Sequence, residues 1–369
     1  MKIVSGEAIP ICIPLKKIFV IASGKLVHSN HVLVRLTDEN GIVGWGETTT
    51  FMEVYGYDQR ALFHVLTDYL IPAVIGKKID SLKELHRLLD QRIPHNLMAK
   101  AGIDLAVCDL MAKAQGLPMW AVIDKKRTDR VPLTGIVDIV SPSAASASAV
   151  EQAAQGFQTI KVKIGQDAAT DIRRVKAVRE SVCDGIRLRV DGNCGYDRET
   201  AWSVFSQMET LGLEWIEQPL PAWDLEGMAM LADRLKTPLA VDESVYTIHD
   251  AKRCIAMGAA DVVNIKVPKC GGLFRCRELA ALCEASGVAC FLGGCIETTP
   301  GMAAAIHFYA ATPNMVSAAE ILGPPLYTDD LVMDPIDVVD GAAVLPQLPG
   351  LGITINEDKV SRYRIPISS

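Results

Sequence analysis

From Lys2 to about Gly46 apolar and polar positions alternate. His31-Val-Leu-Val-Arg-Leu36, the turn signal Asp38-Glu-Asn-Gly41 and then Ile42-Val-Gly-Trp45 read as strand, turn and strand, so the chain opens on an antiparallel meander. From about Tyr57 to Gly116 the period lengthens to that of a helix. It is clearest over residues 98–114, which close on Gln115-Gly116 with Pro118 just beyond. The first third is therefore α+β. After Arg130 eight short apolar runs are separated by helical stretches, at residues 131–137, 159–164, 186–190, 213–216, 238–241, 261–265, 288–292 and 315–319. Strands alternating with helices at near-constant spacing predict βαβ units and a parallel sheet, and this many predict closure into a barrel. No Gly/Ser linker, repeat or low-complexity tract divides the region. Residues 329–338 and Pro349-Gly-Leu-Gly-Ile353 carry short turns and strands expected to return to the N-terminal module.

Length agrees with that organisation, because a barrel of about 250 residues leaves room in 369 residues for one further module. Hydrophobic residues at 49% and charged residues at 22% describe an ordinary globular protein and exclude a disordered or fibrous one. The net charge of -7 comes without any Lys/Arg block, so no nucleic-acid footprint is expected. The N-terminal residues lack the charged, apolar and cleavable series of a signal peptide, and no apolar stretch reaches the about 18 residues of a membrane span. A cytoplasmic protein with no membrane contact is expected. Ten cysteines without a C-x-x-C pair, in a chain too long for a disulfide scaffold, read as buried thiols. The histidines share no ligand spacing on a common helix, and Gly350-Leu-Gly352 lacks the strand-to-helix setting of a nucleotide loop. Tyr55, Tyr57, Trp223 and Met302 read as core or surface residues rather than a pocket lining.

Chemistry concentrates at the C-terminal ends of the predicted strands. These carry Lys161 and Lys163, then Asp191, Glu217, Asp242 and Lys266, with steps from Lys163 onward of 28, 26, 25 and 24 residues. Each step is one βα unit, so in a barrel all of these side chains converge at one end. A lone charge at a strand end is usually a solvated one; a set in register is not. Lys161 and Lys163 share a strand face, as do Asp191 and Asn193. Carboxylates converging without Cys or His make a hard oxygen site suited to Mg²⁺, with Mn²⁺ as the alternative. Lysines on the second and sixth strands would flank a substrate held between them. Removing the weakly acidic proton α to a carboxylate needs the resulting enediolate to be stabilised by positive charge. The neighbouring lysine and a dication are expected to depress the pKa of a lysine base.

Lys161-Val-Lys163, Asp191-Gly-Asn193, Glu217-Gln-Pro219, Asp242-Glu243 and Lys266 with Gly271-Gly272 resemble the muconate-lactonizing subgroup of the enolase superfamily. The stretch 96–118, with Ala99-Lys-Ala-Gly-Ile-Asp104 inside it, resembles the long capping-domain helix of that family, so the likeness spans almost the whole chain. It implies an α/β fold, a (β/α)7β modified TIM barrel at residues 126–325. An α+β capping domain at residues 1–125 would be completed by a C-terminal segment, residues 326–369, returning to it. It implies Mg²⁺ held by Asp191, Glu217 and Asp242, Lys163 and Lys266 as the acid/base pair, and Lys161 as the neighbour that tunes Lys163. Asn193, Glu243, Glu297 and Glu320 are expected to touch substrate or support the ligands. Loops closing over the site are expected near residues 18–29 and 48–57. A small carboxylate substrate and a homo-oligomer are expected.

The subgroup runs lactonisation, β-elimination, racemisation and epimerisation through one enediolate. Lys266 on the sixth strand disfavours the mandelate-racemase branch, which carries an Asp there with a His partner. Ala318-Ala-Glu320 lacks the Asp-x-Asp pair of dipeptide epimerases. Gly293-Gly-Cys-Ile-Glu297-Thr differs from the Asp-x-Trp run of the hydroxyproline and proline-betaine enzymes, and with Glu320-Ile-Leu-Gly-Pro324 it most resembles lactonizing members. The leading expectation is a muconate cycloisomerase-like isomerase. The alternatives are an N-acylamino-acid racemase or o-succinylbenzoate synthase and, in another class, a catalytically silent binding barrel.

Overall fold

The computed structural model describes residues 1–22, 24–321 and 323–367. The alternating N-terminal pattern forms a three-stranded antiparallel sheet from Ile3–Ile21, Gly24–Asp38 and Val43–Thr49 in chain order. Its strands run further than expected. Phe19 pairs with Leu26, Val20 with Lys25 and Ile21 with Gly24, so most of the predicted closing loop at residues 18–29 is a β-hairpin. Ser23, within that loop, lies outside the described residues. The run Ile18-Phe-Val-Ile21 explains this, since β-branched and aromatic residues in alternation favour a pleated strand. In the second predicted loop the strand continues to Thr49 and is followed by a short helix, Met52–Tyr55.

The long helix Leu97–Ala114 is buried nearly all round because it lies between this sheet and the barrel. Glycine makes the approach possible. A Cβ on Gly46 would stand 2.1 Å from the Gly102 carbonyl oxygen, and one on Gly44 2.3 Å from that of Ala106. Two buried aspartates then fasten the helix. Asp104 Oδ1 accepts the Leu273 N–H of the barrel at 2.7 Å, while Asp109 accepts the N–H groups of Trp45 and Leu351, both at 2.8 Å.

Seven parallel strands follow in chain order: Thr134–Val137, Thr159–Lys163, Arg187–Asp191, Leu213–Glu217, Leu239–Val241, Val262–Ile265 and Ala289–Leu292. The predicted eighth run closes the ring without becoming a regular strand. It makes single bridges, Cys290 with Met315, Gly293 with Glu320 and Leu133 with Ala319. The first predicted run is likewise split. Arg130–Pro132 leaves the ring to pair with Ala342–Val344, and Pro132, lacking an N–H, interrupts the ladder at that point. The C-terminal segment crosses back to the cap. Helix Glu357–Tyr363 is followed by an Ile365 N–H bond to Pro10 O at 3.0 Å, and Thr328 N–H bonds Pro14 O at 3.0 Å.

Seven of the ten cysteines are buried, as expected; Cys12 and Cys194 are half-buried, and Cys183 is exposed. Among the described residues no helix is long and apolar enough to cross a membrane.

Candidate active site

Sheet register builds the site. Lys163 stands opposite Asp191, and Asp191 opposite Glu217, at the ends of adjacent parallel strands, so the three point into the barrel mouth at one height. Asp242 and Lys266 directly follow the fifth and sixth strands. All of these side chains are buried. The turns beyond the strands are tightly bent. Asn193, Cys194, Gln218 and Ile296 all take positive φ, which is costly for Ile296 because it is β-branched.

The lysines and acids interlock. Lys161 Nζ bridges Asp191 Oδ2 at 2.8 Å and Glu217 Oε2 at 2.9 Å, and also bonds Glu320. Lys163 Nζ lies 2.6 Å from Asp191 Oδ2 and 3.0 Å from Asn193 Oδ1. Asn193 Nδ2 in turn donates to Glu243 Oε1 at 3.1 Å. Lys266 Nζ lies 2.7 Å from Asp242 Oδ2. Each expected metal carboxylate therefore has two different sides. One oxygen is held by a structural donor: Asn193 N–H on Asp191 Oδ1 at 2.9 Å, Asn264 Nδ2 on Glu217 Oε1 at 2.9 Å, and Lys269 Nζ on Asp242 Oδ1 at 2.9 Å. The other oxygen carries the lysines that line the cavity.

Burial raises a carboxylate pKa and lowers that of a lysine, and neighbours decide the net effect. Burial works against ionised Asp191, but the Lys161 and Lys163 cations hold it at about 2. At Asp242 burial is likewise outdone by Lys266 and Lys269, and the carboxyl falls well below its ordinary range. Glu217 goes the other way, because burial and then the Asp191 charge push it to about 8 despite Lys161. Burial and the Asp242 charge raise Glu243 to about 7. At two of the lysines the side-chain charges act upward. Burial does lower Lys161 and Lys266, but the facing carboxylates outweigh it and both rise.

A small cavity is lined by Lys161, Lys163, Asn193, Lys266 and Glu320 and by the apolar side chains of Phe19, Ile21, Phe51, Val54, Ile136, Ile296 and Leu326. The cap thus supplies much of its apolar wall. Three expected contacts are placed differently from Asn193: Glu243 does not line the cavity and accepts the Asn193 amide at 3.1 Å. Glu297 is not among the lining residues; buried, its Oε2 accepts the Cys295 N–H at 2.9 Å, and burial lifts it to about 7. Glu320 does reach the cavity, but one oxygen is taken by Lys161 and the other by buried Arg189 at 3.1 Å, whose guanidinium lies 3.8 Å over the Trp215 ring. Glu320 therefore positions Lys161.

Sequence reasoning passed over Lys269, Asn264 and Arg189, and read Tyr55 as a core or surface residue. The first is one helical turn beyond Lys266 and the second two residues before it, so the strand-end rule could have found both. Tyr55 comes from the cap, and its hydroxyl accepts from Lys266 Nζ at 2.7 Å and stands 3.3 Å from both Asp242 oxygens. Of the other residues weighed as a pocket lining, Trp223 is exposed, Met302 is buried and Tyr57 lies between.

Among the described residues no group of three acid, His or Cys side chains is gathered tightly enough to hold an ion as the side chains stand. Lysine cations occupy the inner oxygens instead. The donor set nevertheless fits a hard divalent cation, since it is three carboxylates whose inner oxygens have only cavity lysines and Tyr55 as partners.

Residues 8–123 match the family model for the mandelate racemase / muconate lactonizing enzyme N-terminal domain, and residues 144–359 that for the enolase C-terminal domain-like family. The chain is 32% identical to the N-succinyl-L-Arg/Lys racemase of Bacillus cereus, over 99% of this chain and 98% of that one. A crystal structure of N-succinyl Arg/Lys racemase from that species superposes with a TM-score of 0.96, at 31% identity and 99% coverage of both chains. Muconate cycloisomerase 1 of Rhodococcus opacus is 31% identical over 98% of each chain. A dipeptide epimerase of Enterococcus faecalis, solved with Mg and the dipeptide L-Leu-L-Tyr, gives a TM-score of 0.92 at 30% identity, covering 96% of this chain and all of that one. Strand-end lysines and carboxylates, a barrel closed by an eighth crossing and a cap built from both ends of the chain thus coincide with two family matches and relatives of full length: the chain belongs to the mandelate racemase / muconate lactonizing enzyme family of the enolase superfamily.

Proposed function

We propose that the protein is a Mg²⁺-dependent isomerase that moves a proton at the carbon α to a carboxylate, and that it racemises or epimerises an N-acylated amino acid with an apolar side chain. The observation that carries this reading is the pairing of Lys163 and Lys266 in one cavity, reached from the second and sixth of eight positions around the ring. Bases on opposite walls suit removal of a proton from one face and its return to the other. Cycloisomerisation needs one proton transfer only. The rest of the wall supports the same choice. Beyond the interlocked lysines, Asn193 and Glu320 it is apolar, and a dicarboxylate would bury its second charge there without a free cationic partner.

Asp191, Glu217 and Asp242 would hold the divalent ion, which supplies positive charge to the substrate carboxylate when bound. Lys163 takes or gives the proton on one face and Lys266 on the other. Lys161, fixed by Glu320, adds positive charge beside Lys163. Asn193 orients the Lys163 ammonium. The free space of about 50 Å³ is far below the about 300 Å³ of ordinary ligand sites, so substrate entry requires cap side chains such as Phe19 and Phe51 to draw back. They then exclude water around the enediolate.

Muconate cycloisomerisation is the second reading, supported by a cycloisomerase relative at nearly the same identity as the racemase. The deciding experiment incubates purified protein and Mg²⁺ in deuterated solvent with N-acetyl and N-succinyl amino acids, dipeptides and cis,cis-muconate. Loss of optical rotation with α-deuterium entry into an apolar N-acylamino acid is expected. Lactone formation from muconate with no deuterium entry elsewhere would replace this reading by the second.

A further inference from the structure

Lys269 is fully buried and does not line the cavity. Its Nζ donates to the Asp242 carbonyl oxygen at 2.8 Å, to Asp242 Oδ1 at 2.9 Å and to the Asn264 carbonyl oxygen at 2.9 Å. An ammonium has three protons, so every donor is spent, two of them on backbone. Lys266 caps the short helix Val267–Cys270 and Lys269 lies one turn on, so the two lysines grip Asp242 from different sides: Lys266 takes Oδ2 at the cavity, and Lys269 takes Oδ1 from beneath. Lys269 also reaches a second carboxylate indirectly. The residue whose carbonyl it fixes, Asn264, donates its side-chain amide to Glu217 Oε1 at 2.9 Å.

We propose that Lys269 is the positioning residue of the metal site: it locks Asp242 Oδ1, and through Asn264 steadies Glu217, so that one oxygen of each is presented inward as a single-point ligand. The proposal rests on the reading of Asp242 and Glu217 as metal ligands. The three cavity lysines, by contrast, hold the inward oxygens and must yield them to an ion. Among the described residues Lys269 is the lysine that grips an expected ligand without lining the cavity. Residues that hold a ligand in place change metal affinity about 10- to 100-fold when removed.

The test measures Mn²⁺ binding by the free-ion electron paramagnetic resonance signal, with Mg²⁺ activation of turnover and circular dichroism alongside, on full-length Lys269→Met, Lys269→Arg and Asp242→Asn. Mn²⁺ affinity is expected to fall at least about tenfold in Lys269→Met and less in Lys269→Arg, which keeps the charge. Raising Mg²⁺ should restore turnover, with substrate KM at saturating metal unchanged. If Lys269→Met does not fold, Lys269→Arg decides alone: weakened Mn²⁺ binding supports the proposal, and wild-type binding overturns it. A folded Lys269→Met that binds Mn²⁺ as the wild type does also overturns it. Asp242→Asn separates the two readings. Loss of Mn²⁺ binding there with normal binding in the Lys269 variants removes only the Lys269 role, whereas wild-type binding in Asp242→Asn removes the metal site itself and the proposal with it.

Discussion

Tyr55 and Lys266 stand 211 residues apart in the chain and 2.7 Å apart in space, the phenol oxygen accepting from the ammonium. One belongs to the cap, the other to the barrel, so cap docking and the placement of a proposed base are one event. Tyr55→Phe removes this acceptor and the hydroxyl that bridges both Asp242 oxygens. The buried Lys266 ammonium keeps Asp242 as its partner but loses its second acceptor, and turnover should fall about tenfold or more, the scale of one hydrogen bond to a charged group. The loss should be larger for the substrate enantiomer whose proton Lys266 takes. Equal rates of α-deuterium exchange from both enantiomers, at wild-type values, would contradict this.

The two lysines can be separated by stereochemistry. Lys163→Ala and Lys266→Ala should each abolish racemisation, by about 10²–10⁴-fold for loss of a general acid or base. Each variant should still exchange the α-proton of one enantiomer only, and a different one in each case. The measurement is proton NMR of each pure enantiomer in deuterated solvent. Exchange of both enantiomers by a single-lysine variant would rule out opposed bases.

The cap is held by a backbone contact that tolerates no side chain. In Gly46→Ala the new Cβ would overlap the Gly102 carbonyl oxygen and the Ala106 nitrogen, at 2.1 and 2.7 Å. Both atoms belong to a buried helix and cannot swing away. Overpacking of this kind costs about 1–3 kcal/mol or more, and a lowered Tm by calorimetry is the expected result. An unchanged Tm would mean that sheet and helix can separate freely.

His307 is one source of acid sensitivity outside the site. His307 Nδ1 accepts the Trp120 N–H at 3.3 Å and Nε2 donates to Leu351 O at 3.1 Å, and burial lowers its pKa to about 4. The unfolded chain, with the ordinary value near 6.5, binds the proton first. The native state is therefore favoured in full above about pH 6.5 and loses this contribution, up to about 3 kcal/mol, as pH falls toward 4. His307→Gln keeps one donor and one acceptor and should show a shallower fall of Tm over that window. Parallel Tm curves for the two proteins would refute it.

The sequence alone determined the order of elements and the chemical inventory. Barrel strands announce themselves because each is a short apolar run buried on both sides, and a βα unit has a nearly fixed length. Regular steps from Lys163 to Lys266 therefore bring Asp191, Glu217 and Asp242 to one mouth. Which oxygen faces which cation was not legible, because it depends on contacts across the ring. Glu297, in the loop beyond the seventh strand, turns back to the Cys295 N–H, and Glu320, at the end of the eighth crossing, is shared by Lys161 and Arg189. The lysine pKa values followed the same logic: spacing counts charges, but the facing carboxylates set the sign of the shift. Phe19 and Phe51 entered the cavity wall, and Tyr55 reached Lys266, only when the cap docked, since a hydrophobic pattern specifies that a side chain is buried and not what it is buried against.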